Sequence, residues 1–263
     1  MTSMGYPKKS PYNVKITNDM VKNYRDNDTS ELYKIIKSGC RFDTSKITMH
    51  LLVIYNKNFS NISYLAKILP YTNINYLVIG NNKISDINAL YDVLPYTKIN
   101  RLEITNNSIE NITKLCEVLP HTDINDLTLW CNNKYIDISE IIYILPKTKV
   151  KDLRIGIMNI NKFQNLCEIL LYTEIEHLDL ANCFIKDINE LCKILPNTKI
   201  TELDLSDNLI SDISKLCEVL PYTKITDLNL IDNLISSNNQ CKIQDIIVKI
   251  NQKKENDLIS LFI

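Results

Sequence analysis

Prolines recur through the middle of this chain at a nearly fixed interval. Pro70, Pro95 and Pro120 lie 25 residues apart, Pro146 follows after 26, Leu171 stands where the next is due, and Pro196 and Pro221 resume the interval. Such a period marks a structural unit that cannot bury its own apolar face and must stack on its neighbours. The apolar residues keep the same beat: Ile99, Leu102, Ile104, Asn107 and Ile109 in one copy become Ile225, Leu228, Leu230, Asn233 and Ile235 in another. Alternating apolar residues predict strand cores at Leu52–Ile54, Leu77–Ile79, Leu102–Ile104, Leu127–Leu129, Leu153–Ile155, Leu178–Leu180, Leu203–Leu205 and Leu228–Leu230. Each is followed by a stretch such as DISKLCEVLP, in which Ile213, Leu216, Cys217 and Leu220 have helical spacing. Asp86 or Asp212 stands near the helix start and a proline near its exit. The chain therefore reads as an α/β array of about eight strand–helix units.

The frame LxxLxLxxNxL over residues 47–235 resembles the leucine-rich repeat. LPNTKITELDLSDNLISDI is similar to a shortened ribonuclease-inhibitor-type repeat in its helical half, and NxISDI resembles an internalin-like turn. The Asn- and Ile-rich wording is also similar to uncharacterised leucine-rich repeat proteins of large DNA viruses of amoebae. The resemblance implies a curved solenoid with parallel strands on the concave face, short helices on the convex side, and a protein-recognition role. It brings no shared catalytic residues. The ladder asparagine should hydrogen-bond backbone groups where the chain leaves each strand. Lys57 and Met158 replace it in the first and fifth copies, and Cys183 is the family's accepted variant in the sixth. One residue inserted in CNNKYIDIS, after Trp130, should loosen the turn beside the fifth strand.

Two further columns run through the copies. Cys116, Cys167, Cys192 and Cys217 share an inward helix position, which predicts packing rather than metal or redox chemistry. Thr72, Thr97, Thr122, Thr148, Thr173, Thr198 and Thr223 place a hydroxyl where it can satisfy turn backbone. Tyr71, Tyr96, His121, Lys147, Tyr172, Asn197 and Tyr222 precede them, either as exposed spacers or as a second contact surface. Outside the array, residues 1–46 read as an N-terminal tail and helical cap, with a capped helix over 28–39 after a shorter one near Met20 and Tyr24. Residues 236–263 read as a C-terminal helical cap, with Ile243, Ile246, Ile247 and Ile250 as its stripe and Leu258, Ile259, Leu261 and Phe262 as a closing plug.

Composition narrows the function classes. Thirty basic against thirty-one acidic residues leave no bulk attraction for nucleic acid or anionic lipid. The first residues lack a signal-like apolar run and no stretch of membrane-spanning length occurs, so the expected setting is cytoplasmic, or host cytoplasm for a viral chain, with reduced cysteines and a monomeric state. Four glycines argue against phosphate-binding loops. His50, His121 and His177 occupy non-equivalent places, and the cysteines lack metal-ligand spacing; no catalytic residue, metal site or cofactor is expected.

Side-chain alternation should turn the third, fifth, seventh and eighth template positions toward the concave face. These comprise Leu51, Val53 and Tyr55, then Tyr76 and Val78, then Arg101 and Glu103, and then Asp126, Thr128 and Trp130. The last four copies add Asp152, Asp179, Glu202, Asp204, Asp207, Asp227 and Asp232 against Arg154. Either these acids only keep the face soluble, or they favour a partly basic partner protein. Trp130, between Thr105 and Gly156 in its column, either stands over its small neighbours as a binding anchor or folds down to patch the irregular turn. The candidate contact set is Tyr55, Tyr76, Arg101, Glu103, Trp130, Arg154, Asp179, Glu202, Asp204, Asp207 and Asp227. A non-enzymatic protein-binding module is the expected function. Alternatives are a substrate adaptor for ubiquitin ligation, although no F-box pattern is present, or an inhibitor that occludes an enzyme.

Overall fold

The computed structural model describes residues 13–24, 30–38, 41–109, 112–130, 139–156, 160–251 and 259–263. Its main feature is one nine-stranded, all-parallel sheet. Before it, strands β1 (Asn13–Thr17) and β2 (Arg41–Lys46) form a separate parallel pair. The sheet contains β3 (Leu51–Tyr55), β4 (Tyr76–Gly80), β5 (Arg101–Thr105), β6 (Asp126–Trp130), β7 (Asp152–Ile155), β8 (His177–Asp179), β9 (Glu202–Asp204), β10 (Asp227–Asn229) and β11 (Ser260–Phe262). Consecutive strands are neighbours, and equivalent residues pair: Leu77 with Leu102, Leu127 with Leu153, and Leu203 with Leu228. The inserted residue shifts the pairing number between β6 and β7 but not the side-chain register. The turn that contains most of the insertion, residues 131–138, and Met158 lie outside the described residues.

Helices α1 (Asn18–Lys22) and α2 (Glu31–Lys37) belong to the N-terminal unit. Between consecutive strands of the array lie α3 (Ser63–Ala66), α4 (Asn88–Tyr91), α5 (Thr113–Val118), α6 (Ser139–Ile144), α7 (Ile160–Leu170), α8 (Asn189–Ile194) and α9 (Ser214–Val219). Each except α7 is followed closely by a single 3-10 turn containing the periodic proline. Proline has no N–H to continue an α-helical ladder. Leu171 does, and α7 stays α-helical up to Leu170.

The leucines and isoleucines of strands and helices form one continuous buried cluster. At its margin the template's polar residues work as expected. The Asn82 side-chain amide donates to the carbonyls of Ile54 and Gly80, both at 2.8 Å, while its oxygen accepts N–H groups from Lys57 and Phe59. In the sixth copy the Cys183 thiol takes over the donor part, 3.2 Å from the Ile155 carbonyl. Every threonine of the column donates to the carbonyl three residues back, as Thr122 does to Leu119 at 2.8 Å. Asp86, Asp187 and Asp212 accept the N–H two residues ahead and so close the first turn of α4, α8 and α9.

The columnar cysteines are buried and unpaired. Burial pushes the thiols of Cys116, Cys167 and Cys192 up to about 12, and that of Cys217 up as well. Thiolate is the reactive form, so alkylation of the folded protein near pH 8 should mark exposed Cys241 quickly and these four only after denaturant is added. Rapid native modification of Cys192 or Cys217, read by peptide mass spectrometry, would overturn the packing role.

The ends hold more strand than the sequence suggests. In the N-terminal unit Thr17 and Ser30 cap α1 and α2, and Tyr24 packs edge-on against Phe59 of the first repeat at 5.2 Å between ring centroids. Gly39, at the expected end of the 28–39 helix, lies outside the described residues; in the β1–β2 pair, NVKIT alternates polar and apolar residues, whereas RFDTSK does not. At the other end, after α10 (Ser237–Asn251), the tail does not simply plug the core: residues 260–262 add strand β11 beside β10. Asn251 clips this strand to the helix, donating to the Ile259 carbonyl at 3.0 Å and accepting its N–H at 2.7 Å. Leu258 lies outside the described residues. Removing residues 259–263 should uncover the β10 edge and the apolar end of the stack, and cause self-association visible by sedimentation. A truncated chain that stays monomeric with unchanged thermal unfolding would show that the strand caps nothing.

Candidate functional site

The sheet face away from the helices carries the candidate residues, and its character changes along the array. At the start Leu51, Val53 and Tyr55 are exposed on β3. The Tyr55 ring occupies the space over Gly80, and its hydroxyl accepts a hydrogen bond from Asn81 at 2.8 Å. Three strands further on the same arrangement recurs: the Trp130 indole leans over Gly156, where an added Cβ would lie 3.0 Å from Cδ2. Trp130 is half-buried. A side chain at Gly80 would collide with the Tyr55 ring, whereas one at Gly156 would make a tight contact to which the indole must yield by a few tenths of an ångström.

In-register stacking turns the third template position into one continuous column. The Arg101 guanidinium lies 4.4 Å from the Tyr76 ring centroid, within cation–π range, and pairs with Asp126 at 2.9 Å. Tyr76 also donates to Glu103 at 3.2 Å. Asp126, buried, takes a second guanidinium, Arg154, at 3.0 Å. Arg154 approaches Asp179 at 4.0 Å. Further along, the imidazole of His177 sits between two carboxylates: Nδ1 meets Asp152, and Nε2 lies 3.1 Å from Glu202. Asp126, Asp152 and His177 were not among the candidate contact residues. Reading the column across copies, Asp126–Asp152–His177–Glu202, would have found the neighbours, because parallel in-register strands bring equivalent positions side by side.

The acids of the last copies are not equivalent. Asp179 and Asp204 accept the N–H two residues ahead, from Ala181 at 3.0 Å and Ser206 at 2.8 Å, and Asn229 does the same for Ile231. These turns coincide with the shortening of β8, β9 and β10 to three residues each. Asp207 and Asp232 occupy left-handed backbone, with φ of 54° and 55°, as do Asn56, Asn81, Asn106 and Asn182 in the same column. Asn and Asp tolerate that conformation. The eighth template position thus serves the turn first. Asp152 and Glu202 hold His177, and Asn229 donates to Asp204 at 2.9 Å. Burial raises the Asp179 carboxyl above its ordinary range; the nearby Asp204 adds to this, while the Ala181 N–H and Arg154 oppose it.

Asp152, Arg154, His177, Asp179, Glu202 and Asp204, with Asp227, Ile231 and Phe262 beyond them, line a shallow depression of about 330 Å³. Among the described residues no three His, Cys, Asp or Glu side chains are grouped as metal ligands, and no helix is long and apolar enough to cross a membrane.

An open parallel sheet backed by one short helix per copy, with an asparagine ladder at its margin, defines a repeat solenoid. The protein is built of leucine-rich repeats: residues 173–218 match the family described as leucine-rich repeats, in two copies, and the same frame extends through the array. Among solved structures it is similar to internalin C2 of Listeria monocytogenes, at 24% identity over 82% of this chain and 77% of that one, with a TM-score of 0.43. Internalin F of the same organism shares 20% identity over 78% and 57% of the two chains, with a TM-score of 0.45. A leucine-rich repeat protein of Leptospira interrogans shares 14% identity over 82% and 49%, with a TM-score of 0.49. This chain therefore spans about half the length of the last two. No curated protein matches it significantly.

Proposed function

We propose that this chain is a non-enzymatic interaction module that binds a partly basic partner protein across the outward sheet face. The leucine-rich repeat fold itself suggests protein–protein interaction. The finer reading rests on one observation: the face passes from exposed Leu51, Val53 and Tyr55, through Trp130, to a depression with five carboxylates. A partner with an apolar portion toward β3 and cationic residues toward β8–β10 would complement both halves. Asp179 has much to gain from a cation, since its charge is already disfavoured by burial.

The test begins with affinity purification from the native cell, followed by binding of the purified partner at two ionic strengths. Asp204→Asn with Asp207→Asn keeps a turn acceptor like that of Asn229 and the left-handed preference that Asn182 shows, and besides charge gives up one part-buried hydrogen bond, from the Asn229 amide to Asp204. The double variant should associate more slowly and depend less on salt, with thermal unfolding unchanged. Unaltered association at both salt concentrations, together with loss of binding in Tyr96→Ala, Tyr222→Ala, would move the working surface to the exposed tyrosine row.

A further inference from the structure

The strand-exit edge of the sixth to eighth repeats carries an apolar ridge separate from the sheet face. Phe184, Leu209 and Leu234 occupy the same position in three successive copies, one residue after the ladder position. Phe184 is 62% exposed, Leu234 is 64% exposed, and Leu209 is partly exposed between them. Earlier copies place Asn58, Lys83 and Ser108 there, so the fold does not ask for an apolar residue. Phe184 makes the point sharpest. Its backbone is left-handed, with φ of 56°, and Asn58 adopts φ of 55° at the equivalent place. Asparagine suits that conformation and a bulky aromatic does not. A residue chosen only for the turn would be Asn, whereas this chain presents a ring to solvent.

Acids flank the ridge. Exposed Asp207 and Asp232 lie just before it in sequence, and exposed Asp187 and Asp212 just after. Lys186 lies on the same edge; hydrogen bonds from the Ser214 N–H and hydroxyl hold the Asp212 carboxyl below its ordinary range, with a smaller contribution from Lys242 of α10. Neighbouring copies at sheet spacing are about 4.8 Å apart. An α-helix laid across them offers a side-chain row every turn, about 5.4 Å. An extended strand offers same-face residues only every 6.6 to 6.8 Å or so, a poorer match.

We propose that this ridge is a second docking surface, which receives an amphipathic basic helix of a partner protein: its apolar stripe on Phe184, Leu209 and Leu234, its cations beside Asp207 and Asp232. Asp207 borders both surfaces, but the apolar anchors of the ridge are distinct from those of the sheet face.

The probe is a fluorescein-labelled Leu/Lys peptide of about five helical turns, with Leu at amphipathic spacing. Its controls are a peptide of the same composition in strict alternation and a Leu/Glu helix. Fluorescence anisotropy at low salt should show binding of the Leu/Lys helix and neither control. Phe184→Asn with Leu234→Lys uses residues already found in this column, so the turn should tolerate both. This variant should weaken binding at least about tenfold with thermal unfolding unchanged, and by more than Trp130→Ala does. Equal binding of the alternating peptide, or parent-like binding by the edge variant, would sink the proposal. Loss of binding in Trp130→Ala alone would seat the peptide on the sheet face instead, supporting that reading and overturning this one. A parent dimer in sedimentation that the edge variant abolishes would assign the ridge to self-association, also against the proposal.

Discussion

Asn208→Ala should lower the stability of the array by about 3 kcal/mol or more, because several buried backbone groups lose their partner at once and each unsatisfied group costs about 1–3 kcal/mol before relaxation. Asn208 is 3% exposed. Its amide donates toward the carbonyls of Leu180, Leu205 and Ser206 at 2.9, 3.0 and 3.0 Å, and its oxygen accepts the N–H groups of Cys183 and Ile185 at 3.1 and 2.9 Å. Water cannot easily reach these groups between stacked copies. Asn208→Cys should fall between parent and alanine, since a thiol can donate as Cys183 does but accepts N–H bonds poorly. Denaturant and thermal midpoints of the three proteins decide the matter. An alanine variant within about 1 kcal/mol of the parent would mean that backbone relaxation or water replaces the ladder bond.

Trp130→Ala should weaken the natural partner by about 2 kcal/mol, roughly thirtyfold in Kd, if the indole is a hot spot of the sheet face. The Gly156 contact supplies a companion variant. In Gly156→Ala the new methyl would lie 3.0 Å from Cδ2 of the indole and must displace it, while Trp130 itself is retained. Its loss of affinity should be smaller than that of Trp130→Ala but in the same direction, with the fold intact by circular dichroism. Parent-like affinity in both variants would leave the indole with a packing role only. Since the ring both leans over the glycine and keeps exposed surface, a modest loss of stability in Trp130→Ala is compatible with the binding role.

Much of this was legible because repetition averages away local ambiguity. A single LDLSDN is a weak strand signal, whereas eight copies in one frame locate all eight repeat strands, although β8, β9 and β10 stop one residue before the expected Leu180, Leu205 and Leu230; the in-register pairing of Leu77, Leu102 and Leu127 follows from their shared position. The threonine hydroxyls and the asparagine ladder were readable for the same reason: a polar residue repeated at one place in a buried frame must be satisfying backbone there. The ends had no such support. Among the described residues NVKIT and RFDTSK pair only with each other, and SLF gains strand character from the edge of β10, so neither end carries a repeated signal. Base pairs of charge across copies were recoverable in principle, yet a count of seven acids against one arginine treats each as free.

The period, the places of the repeat strands, the inward cysteines and the polar backbone partners are all readable from the chain, because they depend on spacing and on which residue types tolerate burial. The tertiary structure alone decided what each surface charge does. Asp126 binds two arginines, His177 lies between Asp152 and Glu202, Asp179 and Asp204 close turns, and Asp207 sits in left-handed backbone. These roles depend on side-chain direction and on contacts between residues about one repeat apart, to which a carboxylate's identity gives no clue: the same Asp is a turn cap, an ion-pair partner or a binding group according to the N–H or cation that stacking places within hydrogen-bond reach.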